Sequence, residues 1–151
     1  MSQTVNCLIR RTQPNAIIGV YRILLGLIFV FFGSVKLVFQ EIHNSWALML
    51  SEINIPFYDL ALIMVPLLQI SIGTLLIAGI YSRIGALMVI PIVILPMYAH
   101  LTIHNSNAYI FESFELFLPA PLIMMAISVL IYGSGKWSLD VKCFPNDDLI
   151  A

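Results

Sequence analysis

The sequence predicts an all-α integral membrane protein: a bundle of four transmembrane helices, with a short interfacial helix between the first and second spans. Composition is the first observation behind this prediction. Of the 151 residues, 60% are hydrophobic and only 10% are charged, and the mean hydropathy is +0.98. Soluble domains have a far more polar composition. The second observation is that the apolar residues form runs of about 20, the length that crosses a bilayer as a helix.

Four such runs cover about residues 16–39, 60–80, 84–101 and 116–132, so that residues 1–151 make one membrane domain. The first run is too long for the apolar core of a signal sequence, and we expect it to stay in the mature protein. The longest loop, Gln40 to Pro56, mixes Trp46 and aliphatic residues with polar ones. This mixture suits a short helix that lies at the membrane interface.

The basic residues predict the orientation of the bundle. One side of the membrane would carry Arg10, Arg11, Arg83, Lys136 and Lys142, whereas the opposite loops carry mainly acidic residues. By the positive-inside rule, both termini are then cytoplasmic, and the chain is a multi-pass protein of the plasma (inner) membrane. There is no basic field that would suggest a nucleic acid as partner, because the net charge is −1.

Two cations lie inside the first apolar run. Arg22 and Lys36 fall on the same helical stripe as Gly19, Gly26 and Gly33. A charge within a span costs several kcal/mol unless it meets protein, water or a partner group, and glycines let a neighbouring helix come close. The two cations are about 21 Å apart along the helix, so they belong to two different groups of polar residues.

The outer group contains Lys36, His100 and Glu115, with further polar residues nearby: Glu41, His43, His104 and Glu112. A histidine beside a carboxylate can handle protons near neutral pH, and His100 with Glu115 are the candidate catalytic pair. An ion pair between Lys36 and Glu115 that only fixes the packing is the competing interpretation. The His and Glu spacings also resemble metal sites on helices, but we predict no metal because no second ligand motif appears.

The inner group contains Arg22, Arg83 and Asp140, with Gln69 above it and Ser138 beside it. The segment Gly133-Ser134-Gly135 would break the last helix and let the chain fold back under the bundle. The Asp140 carboxylate could then reach Arg22 or Arg83. For Arg83, Asp140 and Ser138 we predict a structural role. Cys7 and Cys143 lie near the two termini without CxxC spacing, and we interpret them as free thiols.

Several motifs together resemble the DoxX family of small four-span membrane proteins. They are Arg22-Ile-Leu-Leu-Gly26, Phe32-Gly33-Ser-Val-Lys36-Leu37, Gly79-Ile-Tyr-Ser-Arg83-Ile-Gly-Ala86 and Gly133-Ser-Gly-Lys-Trp-Ser138-Leu139-Asp140. The resemblance covers about residues 16 to 140. It implies a fold more than a reaction, since relatives include membrane subunits of thiosulfate:quinone oxidoreductases, proteins linked to oxidant detoxification, and maturation or assembly factors. Many members carry a Glu where Gln69 stands.

Two functions compete on this basis. In the first, the chain is the membrane subunit or partner of a quinone-linked redox system. Lys36, Arg22 and Gln69 would contact the quinone, and a partner protein would exchange the electrons, because the sequence has no CxxC and no nucleotide fingerprint. In the second, the chain is a non-catalytic scaffold, assembly or maturation factor, and the loop around Trp46 recruits its partner. A small-molecule transporter is a third interpretation, which would require a homo-oligomer.

Overall fold

The computed structural model describes residues 15–53, 57–102, 119–135 and 137–139, with the backbone alone for 99–102. These residues are mainly helical and contain no strand, so the prediction of an all-α fold is confirmed for them. Five helices follow one another along the chain: α1 (Ala16–Val38), α2 (Gln40–Glu52), α3 (Tyr58–Ala78), α4 (Ser82–Thr102) and α5 (Pro119–Tyr132). The short helix predicted between the first two apolar runs is therefore present as α2.

Helix α1 begins and ends where local chemistry sets its limits. At its start, the side chain of Asn15 accepts a hydrogen bond of 3.0 Å from the backbone N–H of Ile17, which caps the first turn. At its end, Phe39 is extended, with φ −94° and ψ 114°. Helix α2 starts with the next residue, Gln40. The chain therefore changes direction within one residue, and α2 lies close to the end of α1.

Helix α3 ends at a glycine that no other residue could replace without strain. Gly79 has φ 72°, and its N–H bonds the carbonyl oxygens of Leu75 and Leu76 at 2.9 and 3.2 Å. This left-handed conformation is the usual way to stop a helix. Because of this stop, α3 ends at Ala78, two residues before the end of the apolar run predicted at about 60–80. The helix begins at Tyr58.

The stripe of small residues on α1 packs directly against α3. A Cβ added at Gly26 would lie 2.7 Å from the carbonyl oxygen of Gly73, and a Cβ added at Gly73 would lie 2.7 Å from the carbonyl oxygen of Gly26. A Cβ at Gly33 would lie 2.9 Å from the carbonyl oxygen of Pro66. The two backbones thus approach as closely as glycines allow, as the sequence pattern predicts.

Four helices form a ring. Helix α1 packs on α3, α3 on α4, α4 on α5, and α5 on α1, while α2 packs on both α1 and α3. The centre of the ring is a hydrophobic core that includes Leu25, Leu76 and Val89. A second cluster, built on Trp46, Met49 and Leu50, joins α2 to α3.

The outer surface of the ring is apolar, with side chains such as Phe31, Met124 and Ile131 largely exposed. Two of the helices, α1 and α3, are long and apolar enough to cross a membrane by length and composition. The apolar part of α4, Ser82–Tyr98, and α5 are shorter apolar helices within the described residues. A helix that is apolar on all sides needs either a core or lipid around it.

Candidate functional site

A cavity of about 70 Å³ lies between α1, α3, α4 and α5. This is several times the roughly 10–15 Å³ that one ordered water needs. Most of its wall is apolar and includes Phe29 and Phe32 of α1 and Leu122 of α5. Among the described residues that line it, Lys36 and Gln69 are the two with polar side chains. An apolar wall with a few polar groups is typical of small-molecule sites.

Gln69 reaches the cavity from the middle of α3. The residue is only 8% exposed, and its Oε1 atom is buried with no hydrogen-bond partner among the described residues. A buried polar atom left in this state costs about 1–3 kcal/mol. Its Cβ lies 3.1 Å from the place where a Cβ of residue 33 would stand, so Gly33 leaves the room that brings Gln69 close to α1. The amide can therefore gain by meeting a ligand.

Lys36 reaches the cavity from the last turns of α1 and is held from the other side by α2. Its Nζ lies 4.1 Å from the centroid of the Trp46 ring, which is a cation–π contact. The Nδ1 atom of His43 lies 3.1 Å from the carbonyl oxygen of Lys36. Trp46 itself is only 5% exposed. Helix α2 thus fixes the position of the ammonium group beside the cavity.

Arg22 belongs to a different place, the inner cluster, where the ends of α3 and α5 meet α1. Arg22 is fully buried, and its Nη2 donates a hydrogen bond of 3.1 Å to the carbonyl oxygen of Trp137. A Cβ added at Gly79 would collide with the guanidinium group and would lie 2.7 Å from Cβ of Ser138. The guanidinium therefore occupies the space that this glycine leaves open.

The segment after α5 folds back against the start of α1. Gly135 has φ 65° and Trp137 has φ 64°, both in the left-handed region. A Cβ added at Gly135 would collide with the backbone N of Gly19 and lie 2.9 Å from the carbonyl oxygen of Asn15. Ser138 is buried beside Arg22. The tight approach shows why a glycine stands at position 135.

Arg83 links two neighbouring helices at the same end of the bundle. Its Nη2 donates a hydrogen bond of 3.3 Å to the carbonyl oxygen of Ile131, near the end of α5. Arg83 lies in the first turn of α4, so this bond ties the beginning of α4 to the end of α5. Such an arrangement fits the structural role that we predict for Arg83.

The structure separates the three candidate quinone contacts. Lys36 and Gln69 line the same cavity, whereas Arg22 lies beside Gly79, ten residues or about 15 Å farther along α3 than Gln69. Gln69 therefore lines the cavity together with Lys36, well away from the Arg22 group above which the sequence places it. His100 lies in the last turn of α4. Its side chain, and the residues Glu115, Asp140, His104 and Glu112, lie outside what the structure describes.

The described part of the chain brings no three His, Cys, Asp or Glu side chains together as a metal site. Sequence reasoning missed the contact between Lys36 and Trp46, and the scaffold alternative used the Trp46 loop as a surface that recruits a partner. The structure buries Trp46 instead. A signal for this was present, because Trp46, Met49 and Leu50 have the spacing of one apolar helix face.

The fold and the site define a class of protein: an all-helical membrane protein with an apolar outer surface, a fully buried arginine and a mostly apolar cavity between its helices. The family model for DoxX matches residues 17–105, which is more than half of the chain and includes α1 to α4. The chain belongs to the DoxX family. No curated protein and no solved structure matches it.

Proposed function

We propose that this DoxX-family protein binds a quinone in the cavity and works as the membrane subunit or partner of a redox system. That system would be quinone-linked and of the thiosulfate, sulfur or oxidant-detoxification type. The observation that carries the proposal is the buried amide of Gln69, which shares an apolar cavity with the ammonium of Lys36. A quinone has the matching chemistry, since it is lipid-soluble and carries carbonyl oxygens on a flat apolar ring.

The lining residues fit such a ligand in two ways. The rings of Phe29 and Phe32 and the side chain of Leu122 offer apolar contacts for the ring faces. The Nε2 of Gln69 and the Nζ of Lys36 are donors, and both can bind carbonyl oxygens. Binding within an apolar wall would strengthen these hydrogen bonds, because the local dielectric is low.

The remaining parts of the redox proposal rest on the sequence. His100 and Glu115 are the candidates for proton exchange when the ligand changes its redox state. Electrons would pass to or from a partner protein, because the sequence has no CxxC and no nucleotide-binding fingerprint.

The same proposal includes a topology. We place α1, α3, α4 and α5 across the plasma (inner) membrane as four spans, with both termini cytoplasmic and α2 at the outer interface. The closed ring of these four helices supports this arrangement. The inner cluster around Arg22 would then lie on the cytoplasmic side, and Lys36 on the outer side. Further copies of the chain could assemble around such a ring as a homo-oligomer.

Quinone binding can be measured through a tryptophan of the protein itself. The chain has two tryptophans. Trp137→Phe removes the one that is 60% exposed and leaves its backbone carbonyl for Arg22. Trp46, in contact with Lys36, then remains as the single reporter beside the cavity. Titration of this variant in nanodiscs with a short-tailed 1,4-benzoquinone should give saturable quenching of the Trp46 fluorescence.

A matched pair of substitutions separates binding from simple partition into lipid. Leu122→Phe puts a larger side chain into the cavity, whereas Leu67→Phe makes the same change on a side chain that is 44% exposed on α3. We expect the first to raise the apparent dissociation constant by about tenfold, since extra volume in a packed site costs about 1–3 kcal/mol. The second should leave it unchanged. Equal quenching in both variants would contradict the proposal.

The scaffold alternative is weakened in one respect. It used the loop around Trp46 as the surface that recruits a partner, but the Trp46 side chain packs inside the protein against Lys36 and the second cluster. A scaffold function would therefore need another docking residue.

A further inference from the structure

From the Gln69 amide in the cavity we infer that the site takes a head group that bears a hydroxyl, and that it therefore binds the hydroquinone form more tightly than the quinone form. The inference rests on the proposed function, and it adds which redox form the cavity holds best. Gln69 is more than nine-tenths buried, and its Oε1 has no hydrogen-bond partner among the described residues.

The chemistry of a primary amide gives this preference. Its nitrogen donates and its oxygen accepts, and a half-turn of the amide group exchanges the two positions. A quinone carbonyl only accepts hydrogen bonds, so it can satisfy the nitrogen but never the oxygen. A hydroquinone hydroxyl both donates and accepts, so it can satisfy whichever end of the amide faces it. Of the two redox forms, only the reduced one offers a hydrogen-bond donor to this oxygen, which has no partner among the described residues.

Lys36 does not provide the same discrimination. An ammonium group only donates hydrogen bonds, and the oxygen atoms of both redox forms can accept them. Among the lining residues that the structure describes, Gln69 is thus the one that can distinguish the two forms. A primary amide also neither gains nor loses a proton at physiological pH. Gln69 would therefore accept a hydrogen bond from the hydroxyl and leave its proton on the ligand. The proton acceptor must then be another group.

The test compares three ligands on the full chain in the Trp137→Phe background. They are the short-tailed benzoquinone, its hydroquinone under anaerobic conditions, and the 1,4-dimethoxy analogue, which keeps both oxygen atoms of the hydroquinone but carries a methyl group in place of each hydroxyl hydrogen. The benzoquinone is measured directly by quenching of Trp46, and the other two by competition with it. We expect the hydroquinone to bind about threefold to tenfold more tightly than the quinone, the ratio that one neutral hydrogen bond gives. The dimethoxy analogue should show no such gain.

A substitution then tests the role of the amide. Gln69→Met keeps the approximate length of the side chain and removes the amide, so the ratio of the two affinities should fall to about one. Gln40→Met makes the same change on the exposed face of α2, and the ratio should stay as in the parent.

The outcomes separate the two proposals. If no ligand binds saturably, the proposed function fails. If the benzoquinone binds but the hydroquinone binds no better, or if the dimethoxy analogue shares the gain, the inference is overturned while quinone binding stands. A preference that survives in Gln69→Met also overturns it. The comparison of ligands needs only the Trp137→Phe chain, so it holds even if the Gln69 variant does not fold.

Discussion

Single residues decide which end of the bundle is structural and which end can bind a ligand. Arg22 is enclosed by the end of α3 and by the segment after α5, and its space is provided by Gly79. Lys36 and Gln69 instead share a cavity. We therefore expect Arg22 to act as a packing element, because its guanidinium fills the space beside Gly79 and Ser138.

This difference predicts unequal effects of two arginine substitutions on stability. Arg22→Met removes the donor to the Trp137 carbonyl in a fully buried place, and hydrogen bonds to charged groups are worth about 1.5–3 kcal/mol. Arg83→Met removes the donor to the Ile131 carbonyl, which makes a longer hydrogen bond of 3.3 Å from a side chain that is only half-buried. We expect Arg22→Met to lower Tm by about 5 °C or more, and Arg83→Met by about 3 °C or less.

Thermal unfolding in detergent, followed by circular dichroism, measures both variants under the same conditions. If Arg22→Met and Arg83→Met lower Tm equally, burial of the Arg22 guanidinium does not determine how much this residue contributes to stability.

At the same scale, the sequence could predict some positions and not others. The sequence of α1 predicts that Arg22 and Lys36 belong to separate groups, because the rise per residue of an α-helix alone gives their separation along the axis. It does not predict the group to which Gln69 belongs. That depends on how far α3 is shifted along α1, and the contact between Gly26 and Gly73 fixes this shift. The pattern of one helix contains no information on its register with another.

Among the elements, α2 is the one whose existence the sequence predicts but whose contact with Lys36 it does not predict. Its mixed composition predicts a short helix, and that helix is present. The spacing within α2 places Trp46 on an apolar face, but it does not predict the contact with Lys36, because a cation–π pair joins two elements and leaves no period within either. Through this contact, α2 holds the Lys36 ammonium group at one side of the cavity.

A double-mutant cycle measures the free energy of the contact between Trp46 and Lys36. Trp46→Phe keeps an aromatic face for the Lys36 ammonium, whereas Trp46→Leu keeps apolar bulk without that face. We expect the Leu variant to be less stable than the Phe variant by about 0.5–2 kcal/mol, the usual worth of a cation–π contact. In a Lys36→Met background, the two variants should become equally stable, because the cation is gone.

Chemical denaturation in mixed micelles, followed by circular dichroism, gives the four stabilities of this cycle. A difference between Phe and Leu that persists without Lys36 would mean that packing of α2, and not the cation–π contact, accounts for the effect.

For the whole molecule, composition and run length predict helices and a membrane environment, and membership of the DoxX family supports both. The order of the ring and the cavity inside it could not be predicted. A cavity exists where four helices fail to fill the space between them, and this depends on distances of a few ångströms between elements far apart in the sequence. The number of spans is tested separately, since α1 and α3 are the two helices that are long and apolar enough to cross a membrane within the described residues.

Thiol labelling can count the spans, and the native cysteines supply two of the four positions. With an even number of spans, Cys7 and Cys143 lie on the same side of the membrane whether two or four helices cross it. The termini alone therefore do not distinguish two spans from four. Ser51→Cys, on the exposed end of α2, and Ser106→Cys, between α4 and α5, complete the set. Each position is tested as the single cysteine of its chain with a membrane-impermeant maleimide on intact cells and on permeabilised cells.

For four spans we expect Ser51→Cys and Ser106→Cys to react on intact cells, and Cys7 and Cys143 to react only after permeabilisation. In a two-span protein, Ser106→Cys would join the protected group, because α4 and α5 would lie on the cytoplasmic side. Protection of Ser106→Cys with free reaction of Ser51→Cys would therefore contradict the four-span topology. It would also remove the cavity from the bilayer, because two of the four helices that line it would no longer cross the membrane.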